Sequence, residues 1–290
     1  MAQFTRWITY TRERFSPVTY ILLSGCISWS AAALFHVSPF SIPIQSTICM
    51  MGLLLFFFEL RLMDELKDFE KDKLAHPGRP LPRGLIEPQE TSRVIQAGIL
   101  VMMGFSVLLF FRGYRDAAAL YFGITSYLFL MFKEFFVGST LSRYPFLYGF
   151  SHQIILIPLV AFPVSIYHGK GWLMAQSWQL GLTILGAFFT YELCRKLDPN
   201  AHPALQTYPQ VYGRGGTLFR ISITSSLALL GSSLLHIEMV SAPLVVITWI
   251  AGIVWVTRPS SYKITEILAT FSLLGHLACI PLFRMVSRWH

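Results

Sequence analysis

The sequence carries little charge. Charged residues make up 13% of its 290 residues, whereas an average soluble domain carries about 25%. Hydrophobic residues account for 54%, and the mean hydropathy is +0.54. About half of the usual polar surface is therefore missing, and so few charges cannot cover a water-soluble globule. The composition excludes a soluble protein and predicts a polytopic membrane protein.

The sequence also lacks paired cysteines. It contains no CxxC motif and no cysteine–histidine cluster at zinc spacing. Most of the cysteines lie in apolar segments, where cysteine behaves as a small hydrophobic residue. We therefore expect neither a disulfide framework nor a structural zinc site. The four cysteines are Cys26, Cys49, Cys194 and Cys279.

The apolar residues are concentrated in runs of about the length that crosses a bilayer. They predict nine transmembrane helices and no soluble domain, so that residues 1–290 form one membrane domain. The alternating pattern of a membrane barrel is absent, which leaves helices as the spanning elements. The predicted spans cover residues 18–37, 42–62, 91–111, 117–136, 147–166, 172–193, 218–235, 239–257 and 264–283.

The positive charges are distributed unevenly about these spans. With nine spans, 18 of the 23 Lys and Arg residues fall on the side of the N-terminus. The positive-inside rule then places the N-terminus and the loops after spans 2 and 6 in the cytoplasm, with the bilayer as partner. The membrane is the inner or plasma membrane if the source is bacterial. Topology thus explains the net charge of +8 without nucleic-acid binding. The five remaining positive residues are Arg112, Arg115, Lys170, Arg284 and Arg288.

A first polar segment follows span 2, where five of the 15 acidic residues lie between positions 64 and 72. Asp64, Asp68 and Asp72 are spaced i, i+4, i+8, and they line one face if the helix continues. Carboxylates gathered on one face favour a bound cation such as Mg²⁺, which takes oxygen ligands from one or two carboxylates and from substrate phosphates. The alternative is a solvated charged loop whose lysines pair with these acids.

A second polar segment follows span 6, on the same side of the membrane. Arg195 and Lys196 are suited to bind diphosphate oxygens, and Glu192 or Asp198 is placed near a metal. The alternative is a purely structural ion pair between Glu192 and Lys196, which are spaced i, i+4.

Weaker candidates lie in and after the loop between spans 4 and 5. Lys133 and Arg143 are further diphosphate-binding candidates, with Glu134 beside them. His152 and Gln153 enter span 5 just beyond this loop, and we consider both as contacts for an acceptor. The alternative for this pair is a satisfied hydrogen bond inside the membrane.

The two polar segments resemble the two signatures of the UbiA-type intramembrane prenyltransferases. The first signature is Asn-Asp-x-x-Asp-x-x-x-Asp at the end of helix 2, followed by Arg-Pro-Leu and Gly. The second is an acidic stretch after helix 6 that leads into Thr-x-Pro and Gly. This sequence has, in the same register, Asp64, Glu65, Asp68 and Asp72, with Asp for Asn and Glu for Asp at the first two positions. Arg79-Pro80-Leu81 and Gly84 follow, and later Thr207-Tyr208-Pro209 and Gly213.

The resemblance implies a helical bundle around a central cavity, with a cytosolic polar cap that binds Mg²⁺ and an isoprenyl diphosphate donor. The donor ionises, and a hydrophobic, typically aromatic acceptor captures the allylic cation. The implied catalytic residues are Asp68 and Lys196. The implied metal ligands are Asp64, Glu65, Asp68, Asp72, Glu192 and Asp198, and the implied diphosphate-binding residues are Arg79, Lys133, Arg143, Arg195 and Lys196.

The second segment departs from the family pattern because Arg195 and Lys196 stand among its acids. A fixed cation in place of one metal ion fits this departure, and the number of metal ions stays open. A terpene cyclase on the same scaffold and a non-catalytic relative remain alternatives. A divalent-ion transporter is disfavoured, since spans 1, 3, 5, 7, 8 and 9 have almost no acidic residues in their interiors.

Overall fold

The computed structural model describes residues 2–287, with the side chains of residues 4–38 and 40–283. All regular secondary structure within this part of the chain is helical. The predicted all-α fold class is therefore confirmed for the described residues. Arg288 lies outside the described residues, and so does the side chain of Arg284.

The described residues form fourteen α-helices joined by short turns and 3-10 segments. These helices are α1 (Ala2–Arg14), α2 (Pro17–Ala33), α3 (Pro43–Lys67), α4 (Phe69–Ala75), α5 (Pro88–Phe111), α6 (Arg115–Phe132), α7 (Gly138–Leu141), α8 (Pro145–Gln153), α9 (Leu156–His168), α10 (Ala175–Cys194), α11 (Tyr208–Leu234), α12 (Glu238–Thr257), α13 (Tyr262–Leu277) and α14 (Cys279–Ser287).

Each of the nine predicted spans coincides with one helix or one pair of consecutive helices. In the described residues, five helical segments are long and apolar enough to cross a membrane: α3, α5, α8 with α9, α11 and α12. A sixth results if α1 and α2, which are bent by 58°, form one broken span. Helix α13, with 16 residues, is about 24 Å long and shorter than the hydrocarbon core of about 30 Å. The count of nine spans stays a prediction.

The helices pack as a bundle in which neighbours along the chain are mostly neighbours in space. Helix α3 packs against α2, α5, α6 and α9, and α10 packs against α9, α11 and α13. Helices α11, α12 and α13 pack in succession. As a result, the ends of α3 and α10, which carry the two polar segments, belong to the same bundle.

The core between α3, α6 and α9 depends on one glycine. The Tyr121 ring lies 4.9 Å from the Phe162 ring, and the Tyr121 hydroxyl donates to the carbonyl of Gly52 at 2.7 Å. A Cβ atom at Gly52 would lie 2.6 Å from the Phe162 ring. Glycine at this position therefore lets α6 and α9 pack closely against the middle of α3, the helix whose end carries the first polar segment.

Candidate functional site

The structure brings the two polar segments together at one end of the bundle. Helix α4, which follows Asp68, contacts the turn Pro203–Leu205 of the second segment. Asp64 lies within the electrostatic influence of Asp68, Glu192 and Arg195. Acids and cations from segments far apart in the sequence thus share one region.

Glu65 is buried in a cluster with two arginines. Its Oε1 atom accepts from Nε and Nη2 of Arg14, each at 2.6 Å, and it also pairs with Arg61. The Glu65 side chain is 1% exposed. Arg14 ends helix α1, so this cluster fastens α1 to the first polar segment. Two guanidinium groups thus pair with Oε1 of Glu65, a residue predicted to bind a metal ion.

Asp72 and Arg79 neutralise each other. Nη1 of Arg79 lies 2.6 Å from both carboxylate oxygens of Asp72, which is buried. The pair closes the turn that follows α4. In this arrangement the predicted metal ligand Asp72 and the predicted diphosphate-binding residue Arg79 are paired with each other.

The second segment pairs its own charges. The Lys196 amine lies 2.6 Å from Oε1 of Glu192, and Arg195 donates to Oε2 of the same carboxylate. The charge of Glu192 raises the pKa of the Arg195 guanidinium. Asp198 accepts from the backbone N–H of Asn200 at 2.9 Å. Arg195 is exposed at its position after α10, and Lys196 is half-buried, so both side chains are accessible at the surface.

Asp64 and Asp68 are the acids of the first polar segment with the least compensation. Asp64 is 41% exposed, and its nearest cation is Lys67, at 3.8 Å. Within the described residues, Asp68 takes part in no salt bridge, and no group of three His, Cys, Asp or Glu side chains is arranged to hold a metal ion. Two carboxylates one helical turn apart nevertheless fit Mg²⁺, which commonly binds one or two carboxylates together with substrate phosphates and water.

Lys67 and His152 line a small cavity beside Asp64. The Lys67 amine lies 3.3 Å from Nε2 of His152. The cavity is walled by apolar side chains of α3 and α6, including Leu60, Met63 and Leu128. Its volume is about 10 Å³, close to the smallest volume that holds one water molecule. A prenyl chain therefore enters this space only after the surrounding side chains move.

The other weak candidates lie apart from these ion pairs. Lys133 ends α6, with its amine 5.2 Å from the centre of the Phe132 ring. Arg143 is exposed in the turn before α8, and Gln153 is half-buried at the end of α8. The structure therefore brings His152 toward the polar segments, whereas Lys133 and Arg143 stay at the surface.

The tail of the second segment shapes the start of α11. The backbone N–H of Thr207 donates to the side chain of Gln210 at 2.8 Å, which caps the first turn. Gly213 has φ +67°, a conformation that side chains disfavour. The helix is kinked at Gly213. Before the kink, Tyr208 lies against Lys196 of the second segment, and the Tyr212 hydroxyl accepts from the backbone N–H of Phe146 in α8.

No family model and no curated protein matches the sequence, but two solved structures share its fold. One is described as a digeranylgeranylglyceryl phosphate synthase in membranes. It is 16% identical, with a TM-score of 0.64 over 95% of this chain and 99% of that one. The other is the apo structure of a UbiA homolog from Aeropyrum pernix K1. It is 15% identical, with a TM-score of 0.63 over 93% of this chain and 98% of that one. The protein therefore shares its fold with a UbiA homolog, which is the fold that the resemblance of the two motifs implies.

Sequence reasoning missed three cations and one acid near this region. Arg14 and Arg61 appeared only as topology signals, and Lys67 only as a surface partner of the acids. Their signal in the sequence is weak, since Arg14 and Glu65 are 51 residues apart. Glu59 was also missed, although it is a buried acid inside span 2 that packs against Gly98 of α5.

Proposed function

We propose that the protein is an intramembrane prenyltransferase. It ionises an isoprenyl diphosphate and transfers the prenyl group to a lipophilic acceptor. The observation that carries this proposal is the convergence of the two charged segments at one end of a UbiA-type bundle. A leaving diphosphate needs charge neutralisation as its C–O bond breaks, and this end of the bundle combines cations with uncompensated carboxylates.

Arg195 and Lys196 are assigned to the diphosphate. Both follow α10, and both are held by one carboxylate, Glu192, so their positions are set before a ligand arrives. Arginine contributes a planar fork and lysine a point charge, the two usual partners of phosphate oxygens. When diphosphate binds, it competes with Glu192 for these two cations.

Asp64 and Asp68 are assigned to Mg²⁺. The ion supplies charge neutralisation to the leaving group when it is bound. Asp64 is half-exposed and lies within the electrostatic influence of Glu192 and Arg195, beside the place assigned to the diphosphate. The cytoplasmic orientation of this end, and the ligand roles of Glu65, Asp72, Glu192 and Asp198, stay predictions.

Pyrophosphate release tests the proposal. Purified protein in detergent is given geranyl, farnesyl or geranylgeranyl diphosphate, with and without Mg²⁺, and with and without a phenolic acceptor. Release that depends on Mg²⁺ and increases with the acceptor supports a transferase. Release accompanied by a cyclic hydrocarbon, without any acceptor, would identify a terpene cyclase instead. Absence of release under all conditions would contradict both and favour a non-catalytic relative.

A further inference from the structure

His152 has one ring nitrogen fixed by the backbone. Its Nδ1 atom lies 2.9 Å from the carbonyl oxygen of Tyr148, one helical turn earlier. A carbonyl only accepts, so Nδ1 carries the proton and Nε2 carries the lone pair. The Lys67 amine donates to that lone pair at 3.3 Å. His152 thus presents an acceptor nitrogen to the cavity, and a lysine covers it.

Two aromatic rings contact the imidazole. The Tyr148 ring is stacked on it at 4.2 Å, and the Phe135 ring meets it edge-on at 5.8 Å. Phe135 stands in the left-handed turn of residues 134–136, in which all three φ values lie between +49° and +58°. Such conformations cost about 1–3 kcal/mol each and persist only where the surroundings impose them.

The same turn is braced by Glu134. The Tyr148 hydroxyl donates to the Glu134 carboxylate at 3.1 Å. A Cβ atom at Gly138 would lie 1.9 Å from that carboxylate, so glycine there makes room for it. The turn positions Phe135, the hydrogen bond positions Tyr148, and the glycine leaves room for the Glu134 carboxylate. Together these features hold the His152 ring beside the cavity.

We propose that Nε2 of His152 is the docking point for the hydroxyl group of the acceptor, and that Lys67 covers it until the donor diphosphate binds. This inference rests on the proposed function. The cavity of about 10 Å³ beside Nε2 is lined by Lys67 itself, so departure of the lysine both frees the nitrogen and enlarges the space. A neutral imidazole nitrogen there selects a ligand that donates one hydrogen bond, and a phenol or an alcohol does so.

Lys67 is suited to act as the cover because it lies between two sites. One neighbour is His152, and the other is Asp64, whose carboxylate lies 3.8 Å from the amine and within the electrostatic influence of Glu192 and Arg195. A diphosphate is a stronger partner for an ammonium group than a neutral imidazole is. Binding of the donor draws Lys67 toward the polar segments and frees Nε2. The order of binding, donor before acceptor, follows from this arrangement.

Reaction of His152 with diethyl pyrocarbonate, which modifies free imidazole nitrogens, measures the cover directly. The full-length protein in detergent is treated with the reagent, and modification of each histidine is followed by mass spectrometry. Since a hydrogen bond to a charged group must break first, Lys67→Met is expected to accelerate modification of His152 at least about tenfold. His276, whose Nε2 atom lies 2.8 Å from the Ser241 hydroxyl in the buried core, is the internal control and stays slow.

Two additions separate the steps of the inference. In the protein without substitutions, inorganic pyrophosphate with Mg²⁺ is expected to raise the rate of His152 modification toward the rate in Lys67→Met. para-Propylphenol is then expected to slow the modification of His152. Its methyl ether, which has the same ring without a hydroxyl proton, is expected to leave that rate unchanged. Lys67→Gln repeats the comparison if the methionine variant unfolds.

Three results would overturn the inference: an unchanged rate in both Lys67 variants, equal protection by the phenol and its ether, or no acceleration by pyrophosphate that calorimetry shows to bind. Failure of pyrophosphate to bind contradicts the proposed function instead. In that case the Lys67 variants and the phenol still decide whether lysine covers a hydroxyl-binding nitrogen.

Discussion

Removal of the Glu65 carboxylate is expected to destabilise the protein strongly. Glu65 is 1% exposed, and its partners Arg14 and Arg61 are 18% and 23% exposed. Loss of one partner from a buried ion pair costs about 3–5 kcal/mol, because the remaining charge is left uncompensated. Because both arginines are partly exposed, we expect a loss of free energy of unfolding at the lower end of this range. At about 2–4 °C per kcal/mol for a large domain, a loss of about 3 kcal/mol lowers the Tm by about 6–12 °C.

Glu70→Ala is the matched control for Glu65→Ala. Glu70 lies in the same segment and pairs with Lys73 at 2.9 Å, but its side chain is 79% exposed. Exposed pairs contribute little, so this variant is expected to unfold close to the unmodified protein. A dye that reacts with thiols reports unfolding in detergent, because Cys49, Cys194 and Cys279 are buried in the folded protein.

The two variants distinguish a structural carboxylate from a ligand-binding one. Equal unfolding temperatures for Glu65→Ala and Glu70→Ala would refute the stabilising role of the buried cluster. The prediction that Glu65 binds a metal ion would then be favoured again. Replacement of Glu65, Arg14 and Arg61 together by methionine is expected to recover most of the lost stability, because no unpaired charge remains.

Three further changes test other parts of the molecule. Asp68→Ala is expected to abolish Mg²⁺-dependent pyrophosphate release while leaving the Tm unchanged, and loss of the folded protein would indicate a structural role. Lys196→Ala is expected chiefly to slow diphosphate release in single-turnover kinetics; unchanged kinetics would remove Lys196 from the site. Gly98→Ala places a Cβ atom 2.0 Å from the Glu59 carboxylate and is expected to cost about 1–3 kcal/mol. Adding Glu59→Ala should relieve that cost, and additive losses in unfolding would contradict the contact.

The positions of the helices follow largely from hydropathy. The predicted spans 91–111 and 239–257 correspond to Pro88–Phe111 and Glu238–Thr257. Helix α11 instead begins at Tyr208, ten residues before the predicted start at 218. Its first turns are polar, and a cap formed by Thr207 and Gln210 stabilises them rather than burial in lipid. Hydropathy therefore predicts which segments are helical, and local hydrogen bonds decide where such helices begin.

The site was predictable as a set of segments but not as a set of contacts. The spacing of Asp64 and Asp68 gives their shared face from sequence alone. The pairing of Glu65 with Arg14 joins residues 51 positions apart, and only tertiary packing creates it. The left-handed turn that holds Phe135 against His152 contains no glycine, so the sequence has no signal for it. Motif spacing thus predicts local geometry, and the distant partners decide which charges remain free.

The cations assigned to the diphosphate are already held by carboxylates. Arg195 and Lys196 both pair with Glu192, and the Lys67 amine lies 3.8 Å from Asp64. A diphosphate gains these cations only by competing with the carboxylates, and each carboxylate that loses its cation needs another positive charge. Under the proposed function, Mg²⁺ at Asp64 and Asp68 would supply that charge where Lys67 leaves. The metal requirement and the uncovering of His152 would then arise from one exchange of partners.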